Sequence, residues 1–318
     1  MALYAKVIAV KTLYNKVRST NIDSGPCRIS AERFSYLDQT KYQRDLSKLE
    51  AADYLSFLFY QSFGYNLDLI SPCTFNEKLN WLKVFYHNPL MQVCADKANF
   101  HNFVLDRLPK MSDHCIKPLA TFRKPDEIKL DDMPERFILK SNFGSGTQAF
   151  VEKAKDNLNA LITTASTWLD PKTNHYYCAL ESGYKGITPA IVCEPIIKFD
   201  YKIEFYCFDG TPFIYWIVIN DKTADVCANL YKMSGERLPV NWHYKNFNSD
   251  PRPSYFDELV EMSKVLSAGF PHVRVDFYAG KDWWYFSELT FFTWAGLTPI
   301  SDYMFDVLLG KQIKLEKE

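Results

Sequence analysis

Arg274, Asp276, Glu288 and Thr290 are the residues whose types and spacing point most directly to chemistry. They belong to Val273-Arg-Val-Asp-Phe-Tyr-Ala-Gly-Lys-Asp-Trp-Trp-Tyr-Phe-Ser-Glu-Leu-Thr290, which reads as two strands and a tight turn. Apolar Val273, Val275 and Phe277 alternate with Arg274 and Asp276, the period of a half-buried strand. Arg274 and Asp276 therefore share one face, as do Glu288 and Thr290. An odd-length loop, such as Gly280-Lys281-Asp282, puts both pairs on the same side of the hairpin. One guanidinium and two carboxylates gathered there have two readings. They form an internal salt bridge on a solvated sheet face, or they grip phosphates with the help of Mg²⁺. The hairpin alone leaves both open.

Other stretches offer parts of a similar kind. Lys97 precedes an apolar-periodic helix running to Leu108, against the macrodipole, which prefers anions at a helix start. It is placed to meet a ligand, or it is a solvated surface lysine. Arg136-Phe-Ile-Leu-Lys140 is a short strand ending in lysine, followed by Ser-Asn-Phe-Gly144-Ser145-Gly146-Thr147 and a second strand at Ala149-Phe-Val151. Such a loop can lay free backbone amides over phosphates, but it lacks the P-loop pattern, and most Gly-Ser-Gly turns are only turns. Ile191-Val-Cys-Glu194-Pro195-Ile-Ile197 is a buried strand that proline ends or confines to an edge, leaving backbone groups free for an adenine edge. Asp200, Lys202 and Glu204 alternate onto one face of the next strand, and Asp209-Gly210 turns it into a partner strand from Pro212 to Val218.

The elements that must position these groups suit an α+β protein. With 318 residues, 47% hydrophobic and 24% charged, the chain can bury more than one sizeable core. A net charge of −1 excludes a global basic field for nucleic acid. The 24 Phe, 20 Tyr and 7 Trp exceed what a core usually needs and suit a groove that stacks on rings. Eight cysteines show no C-x-x-C and no zinc spacing, and several lie in apolar strands, so reduced thiols and a cytoplasmic setting are expected. The N-terminus has no long apolar core ahead of small residues, so no cleavable signal peptide is expected.

Leu3, Val7, Val10, Tyr14 and Val17 recur at helical spacing beside Lys6, Lys11, Lys16 and Arg18. This basic amphipathic helix over residues 3–18 either packs on the body or lies on an anionic membrane surface at the inner face. A linker follows at 19–30, then helical patterns near 41–63 and 75–86, the second opened by a capping box, Thr74-Phe-Asn-Glu77. Residues 222–253 read as loop-rich. There Lys232, Arg237, His243, Lys245 and Arg252 among Trp242, Tyr244 and Phe247 make either a patch for an acidic sugar chain or a solvated loop with anchoring aromatics. Residues 255–266 form a helix stopped by Gly269-Phe-Pro271.

Taken in order, these parts resemble the ATP-grasp superfamily, and more closely its TupA-like branch, associated with bacterial teichuronopeptide and surface-polysaccharide synthesis. The resemblance rests on Thr74-Phe-Asn-Glu-Lys-Leu-Asn-Trp-Leu82, Asp96-Lys97, Phe137-Ile-Leu-Lys-Ser-Asn-Phe-Gly-Ser-Gly146, Asp200-Tyr-Lys202, Phe208-Asp-Gly210, Gly269-Phe-Pro-His-Val-Arg-Val-Asp276 and Ser287-Glu-Leu-Thr-Phe291. It covers roughly residues 55–310. It implies an ATP-grasp fold in which two α/β lobes clamp ATP, preceded by a mainly helical region. The implied division is residues 1–110, then 111–198 with the glycine flap, then 199–318 with the metal and acceptor site.

By the same resemblance, Lys97 and Lys140 hold ATP phosphates while Gly144, Ser145 and Gly146 close over them. Glu194 to Ile197 form the adenine hinge, with Lys202 near the nucleotide. Asp276 and Glu288 carry Mg²⁺, and Arg274 steadies the acyl-phosphate. Relatives commonly have Asn where this chain has Thr290, a weaker third metal ligand, and a proline with small residues where it has Phe292-Thr293-Trp294. The implied reaction activates a carboxylate as an acyl-phosphate, which an amine attacks to give an amide. The acceptor is a uronic-acid carboxylate on a sugar or polysaccharide, and the donor is an amino acid. Alternatives are a sugar kinase working in the same cleft and a non-catalytic nucleotide-binding scaffold.

Overall fold

The computed structural model describes residues 46–315, save 145, 175, 222 and 249–251. The helix expected over 3–18, the linker and Ser145 therefore lie outside the described residues. Helix α1 (Lys48–Phe63) starts where the Ser47 hydroxyl accepts from the Glu50 amide and the Glu50 carboxylate answers at the Ser47 amide. It stops at Gly64, whose φ of 72° is the left-handed conformation that glycine adopts without strain. Helix α2 (Phe75–Phe85) opens with the expected capping box at Thr74 and Glu77. Two shorter helices follow, α3 (Leu90–Ala95) and α4 (Phe100–Arg107).

Two antiparallel sheets make the rest of the frame. The smaller contains β1 (Ala120–Phe122), β2 (Arg136–Ser141), β3 (Gln148–Glu152) and β4 (Ile191–Pro195), in the spatial order β1-β4-β2-β3. Helix α5 (Leu158–Thr167) covers it, with Phe137, Leu139, Val151, Ala165, Ile191 and Cys193 in a shared core, and the short helix α6 (Tyr176–Ala179) follows. β4 is central rather than an edge, and the proline takes its last position, where a missing ladder donor costs least.

The larger sheet contains β5 (Tyr201–Phe208), β6 (Thr211–Ile219), β7 (Cys227–Lys232), β8 (Arg237–Leu238), β9 (Val273–Ala279) and β10 (Trp284–Thr290). Its order is β10-β9-β5-β6-β7-β8. Phe208 pairs with Thr211, and Asp209 (φ 46°) and Gly210 (φ 77°) between them are both left-handed, as a type I′ hairpin turn requires. Helix α7 (Phe256–Ser267) packs Leu259, Met262 and Leu266 against β5, β6 and β9. Each such fully buried apolar side chain contributes about 1.5–3 kcal/mol. Helix α8 (Tyr303–Gln312), capped by Asp302, lies against α2 so closely that a Cβ on Gly310 would fall 2.2 Å from the Cys73 carbonyl oxygen.

Two expectations are corrected. The stretch read as loop, 222–253, contributes strands β7 and β8, and its aromatics are anchors: Trp242 is buried against Phe75, Tyr206 and Trp216. The patch cations are partly spent locally, Lys232 on Glu236 and Arg252 on Asp257 and the Phe256 ring. The β9–β10 turn is four residues rather than three, because Ala279 pairs with Trp284. A bulge at Ser287 then shifts the register by one, so that the two pairs share a side as expected, with Asp276 facing Glu288 and Arg274 facing Thr290. The described cysteines are all free, and no described helix is long and apolar enough to cross a membrane.

Candidate active site

The register of β5, β9 and β10 lays out a grid of charge. Glu204 pairs with Asp276 and Asp276 with Glu288, so three carboxylates form one row across three strands. The next row is Tyr206, Arg274, Thr290, and on the other side Lys202 lies beside Tyr278. Alternation on the strands creates this grid, since every second residue faces the same way. Three adjacent carboxylates demand cations, and the grid supplies them diagonally. Arg274 grips both Asp276 oxygens, Nε at 2.8 Å and a terminal nitrogen at 2.6 Å, reaches Glu204 at 3.4 Å and donates to the Thr290 hydroxyl at 3.3 Å. Lys202 donates to Glu204 at 3.0 Å and lies 3.8 Å from Asp221.

The smaller sheet faces this grid across a cavity of about 510 Å³, a size that takes a small ligand. Lys140, on β2, is paired with Glu194, on β4, at 2.5 Å. Lys97 does not lie in a helix, since α4 begins three residues later. Its ammonium donates to the Gly144 carbonyl at 2.5 Å. The base of that glycine loop is held by Asn142, whose amide group donates to Asp96 at 2.8 Å and accepts from the Ala190 amide at 2.7 Å. Gly144 and Gly146 have φ of 89° and 78°, so the loop needs glycine at both points. Lys97, Lys140, Gly144, Gly146, Lys202, Arg274, Glu288 and Thr290 thus line one cavity, with Asp276 gripped just beneath. Glu194 and Ile197 line an adjoining recess of about 240 Å³, with Ile138, Phe150, Pro195, Phe199 and Tyr278. Its apolar walls fit an aromatic base.

Electrostatics single out Glu288. Burial pushes its carboxyl up, but Lys97, Lys202, Arg274 and Lys140 together pull it down to about 2. Its side chain makes no hydrogen bond or ion pair to a described residue. Burial pushes Asp276 up to about 7 against the pull of Arg274. Burial works likewise on Glu204, yet Arg274 and Lys202 hold it below its ordinary value. Among the described residues no group of three or more His, Cys, Asp or Glu is arranged to hold a metal. Mg²⁺ commonly takes one or two carboxylates and fills its remaining positions with phosphate oxygens and water. The facing pair Asp276 and Glu288 fits that habit.

Several lining residues escaped sequence reasoning: Glu181, Tyr184, Asp221 and Tyr278. Glu204 carried a signal in its alternation with Lys202, while Tyr244 was met only within the 222–253 patch and Trp294 only as a departure from relatives. Trp294 and Ala295, which line the larger cavity but not the apolar recess, adopt left-handed φ of 51° and 54°. Helix α2 holds that turn: Asn80 donates to the Gly296 carbonyl at 2.8 Å and Lys83 to the Ala295 carbonyl at 2.5 Å. The Asn80 and Lys83 side chains are buried by this duty, and Asn76 on the same helix holds Asp306 of α8 at 2.9 Å.

A profile of the family described as TupA-like ATPgrasp matches residues 77–314. Among solved structures, the ATP-grasp ligase PsnB complexed with its minimal precursor is 14% identical, covering 74% of this chain and 69% of that chain, with a TM-score of 0.39. D-Alanine–D-alanine ligase from Bacillus anthracis complexed with ATP is 17% identical, covering 66% and 57%, with a TM-score of 0.38. The ADP complex of PurK, N5-carboxyaminoimidazole ribonucleotide synthetase, is 10% identical, covering 68% and 50%, with a TM-score of 0.41. The match thus spans only about half to about two thirds of the length of these structures. No curated protein matches the chain.

Proposed function

Because this chain belongs to the TupA-like ATP-grasp family, we propose that it uses ATP to activate a carboxylate as an acyl-phosphate and joins it to an amine. The observation that carries this reading is Glu288, a carboxylate without a side-chain partner among the described residues and ringed by Lys97, Lys140, Lys202 and Arg274. Lys140, Lys202 and Arg274 already have carboxylate partners in Glu194, Glu204 and Asp276, so what the ring offers is convergence rather than surplus charge. Cations from both sheets meet at one point, where they can exchange carboxylate oxygens for those of a polyphosphate and an acyl-phosphate, with Mg²⁺ offsetting the added negative charge. The apolar recess at Pro195–Ile197 then takes the adenine, and Asp221, which lines both spaces, faces the sugar of the nucleotide.

On this reading Lys97 and Lys140 bind phosphate oxygens and the Gly144–Gly146 loop covers them. Asp276 and Glu288, with Thr290 as a weaker third ligand, would hold Mg²⁺, which would supply neutralisation of phosphate charge. Arg274 orients the carboxylate undergoing activation and balances charge on its phosphate, while Lys202 supports Glu204 and the nucleotide. The protein needs no nucleophile of its own, since positioning and charge neutralisation carry the reaction. We place the glycine flap in a lobe over residues 111–198 and the metal and acceptor groups in one over 199–318, behind a helical region over 1–110. The substrates we assign are a uronic-acid carboxylate of a bacterial surface polysaccharide or its precursor, and an amino acid, worked on in the cytoplasm or at the inner membrane face.

The test uses ATP, Mg²⁺, a panel of uronic-acid oligosaccharides and hydroxylamine as a generic amine, following ADP, free phosphate and hydroxamate together. Equal ADP and phosphate with hydroxamate is the expected result. ADP with phosphate retained on the sugar would replace this reading with a kinase. ATP bound without turnover on any carboxylate would replace it with a scaffold.

A further inference from the structure

A ligase of this kind must seat two substrates of opposite charge: an anionic carboxylate and a cationic ammonium. The charged groups of the cavity can be sorted by what already occupies them. Lys97 is tied to the Gly144 carbonyl, Lys140 to Glu194, Lys202 to Glu204, and Arg274 to Asp276. Asp221 lies 3.8 Å from Lys202. Two lining carboxylates, Glu288 and Glu181, make no side-chain hydrogen bond or ion pair to a described residue. Glu288 belongs to the cation ring that faces phosphate. Glu181 is left over.

Its setting is not that of a stray surface acid. Glu181 follows Leu180, which is buried and left-handed (φ 55°), and precedes a tight turn, Ser182–Tyr184. That turn is fixed from three sides. Gly183 sits so near the Ala95 Cβ and the Phe291 ring that an added Cβ would lie 3.5 Å from each, Asn174 donates to the Tyr184 carbonyl at 2.9 Å, and Tyr54 donates to the Cys178 carbonyl at 2.8 Å. Glu181 acts electrostatically on Lys83, the residue that pins the Ala295 turn, and on Lys97, and so stands between that turn and the lysine assigned to phosphate. Phe292, Tyr244 and Trp294 line the same cavity, and aromatic faces favour an organic cation. Burial pushes the Glu181 carboxyl up to about 7 against the pull of Lys83 and Lys97, so it can accept a proton near neutral pH.

Building on the ligase reading above, we propose that Glu181 marks the amine subsite, binding the ammonium group of the donor and receiving its proton. The ammonium gives one proton to Glu181, and its freed lone pair forms the new C–N bond at the acyl carbon. The C–O bond to phosphate breaks, and the second proton of the nitrogen leaves with the phosphate. Glu181 then returns its proton to water.

The experiment is calorimetric titration of the full chain, saturated with Mg²⁺ and AMPPNP, with glycine, L-alanine, L-glutamate, L-lysine and n-butylamine and their N-acetyl counterparts. At least one free amine binds saturably while its N-acetyl form, whose nitrogen no longer carries charge, does not, and Glu181→Gln weakens that binding roughly tenfold or more. Glu181→Asp, which keeps the charge on a shorter arm, binds better than the Gln variant and covers the case in which that variant does not fold. No saturable binding of any amine, equal binding of the acetylated forms, or unchanged affinity in a folded Gln variant overturns the assignment. Failure here is separable from failure of the ligase reading. Hydroxamate formation without any role for Glu181 removes the subsite alone, and Glu181-dependent amine binding without carboxylate activation removes the ligase alone.

Discussion

Replacing Asp276 by Asn tests the metal assignment at the residue with the least freedom to compensate. Asp276 is 0% exposed and accepts from two Arg274 nitrogens, at 2.8 and 2.6 Å. In Asn one of those acceptors becomes an NH₂ that faces a donor, so one charge-assisted hydrogen bond is lost, about 1.5–3 kcal/mol. Arg274 keeps Glu204 at 3.4 Å and is not orphaned, so the variant folds with a melting temperature lower by several degrees. The assay is calorimetric titration of AMPPNP with and without Mg²⁺. Wild type binds the Mg²⁺ complex more tightly than free nucleotide. The variant loses at least about tenfold of that difference, while metal-free nucleotide binds no worse, because the substitution removes a negative charge. A folded variant with intact Mg²⁺ dependence would refute the assignment of Asp276 to the metal.

Three further outcomes follow from the structure. Lys140→Met strands Glu194, which is 5% exposed, and costs about 3–5 kcal/mol. The double variant Lys140→Met/Glu194→Gln recovers part of this in denaturant unfolding, and strict additivity would argue against the pair. Gly310→Ala drives a methyl into the Cys73–Phe75 backbone and lowers stability by about 3 kcal/mol or prevents folding, read by a thermal melt. His272 is 3% exposed, and burial, opposed by the Cys207 carbonyl, pushes its imidazole down to about 3. The unfolded chain therefore binds the extra proton first, so this contribution is complete above pH 6.5 and is lost as pH falls toward 3, with a slope of about 1.4 kcal/mol per pH unit. Stability against pH measured for wild type and His272→Gln should diverge below pH 6.5, and parallel curves would exclude it.

What the sequence made legible was whatever local periodicity encodes. The strands around Arg274 and Asp276, the Thr74 capping box and the Asp209-Gly210 turn each depend on residues within a few positions of one another. The juxtaposition of Asp276 with Glu288 was anticipated from a three-residue loop, but the chain reaches it with four residues and a bulge at Ser287. Bulges leave no mark in an alternation pattern that one extra residue can interrupt. β7 and β8 were hidden because β7 mixes polar and apolar residues while its pairing partners supply the burial. Glu181 was not legible at all. It sits in an irregular segment, and its place in the cavity comes from the packing of neighbouring Gly183 beside Ala95 and Phe291, residues far away in sequence, as is Lys83, whose charge acts on it. Likewise the polar face of α2 at Asn76, Asn80 and Lys83 looks like solvated surface until the 294–296 turn and α8 are packed upon it.

The tie between Lys97 and the Gly144 carbonyl bears on turnover as well as on binding. The same ammonium cannot hold that carbonyl and a phosphate oxygen equally well, so the two compete for it. The carbonyl is part of the chain and always close by, so its effective concentration is high and independent of nucleotide. On the ligase reading proposed above, arriving ATP must outcompete it, which lowers apparent affinity but selects ligands carrying dense negative charge. On the same reading the balance reverses after the reaction: with the terminal phosphate gone, the glycine loop can reclaim its lysine and help to expel ADP. Weakening this competitor without touching Lys97 would then favour nucleotide capture and slow product departure, so an internal rival of this kind would act on the cycle at both ends.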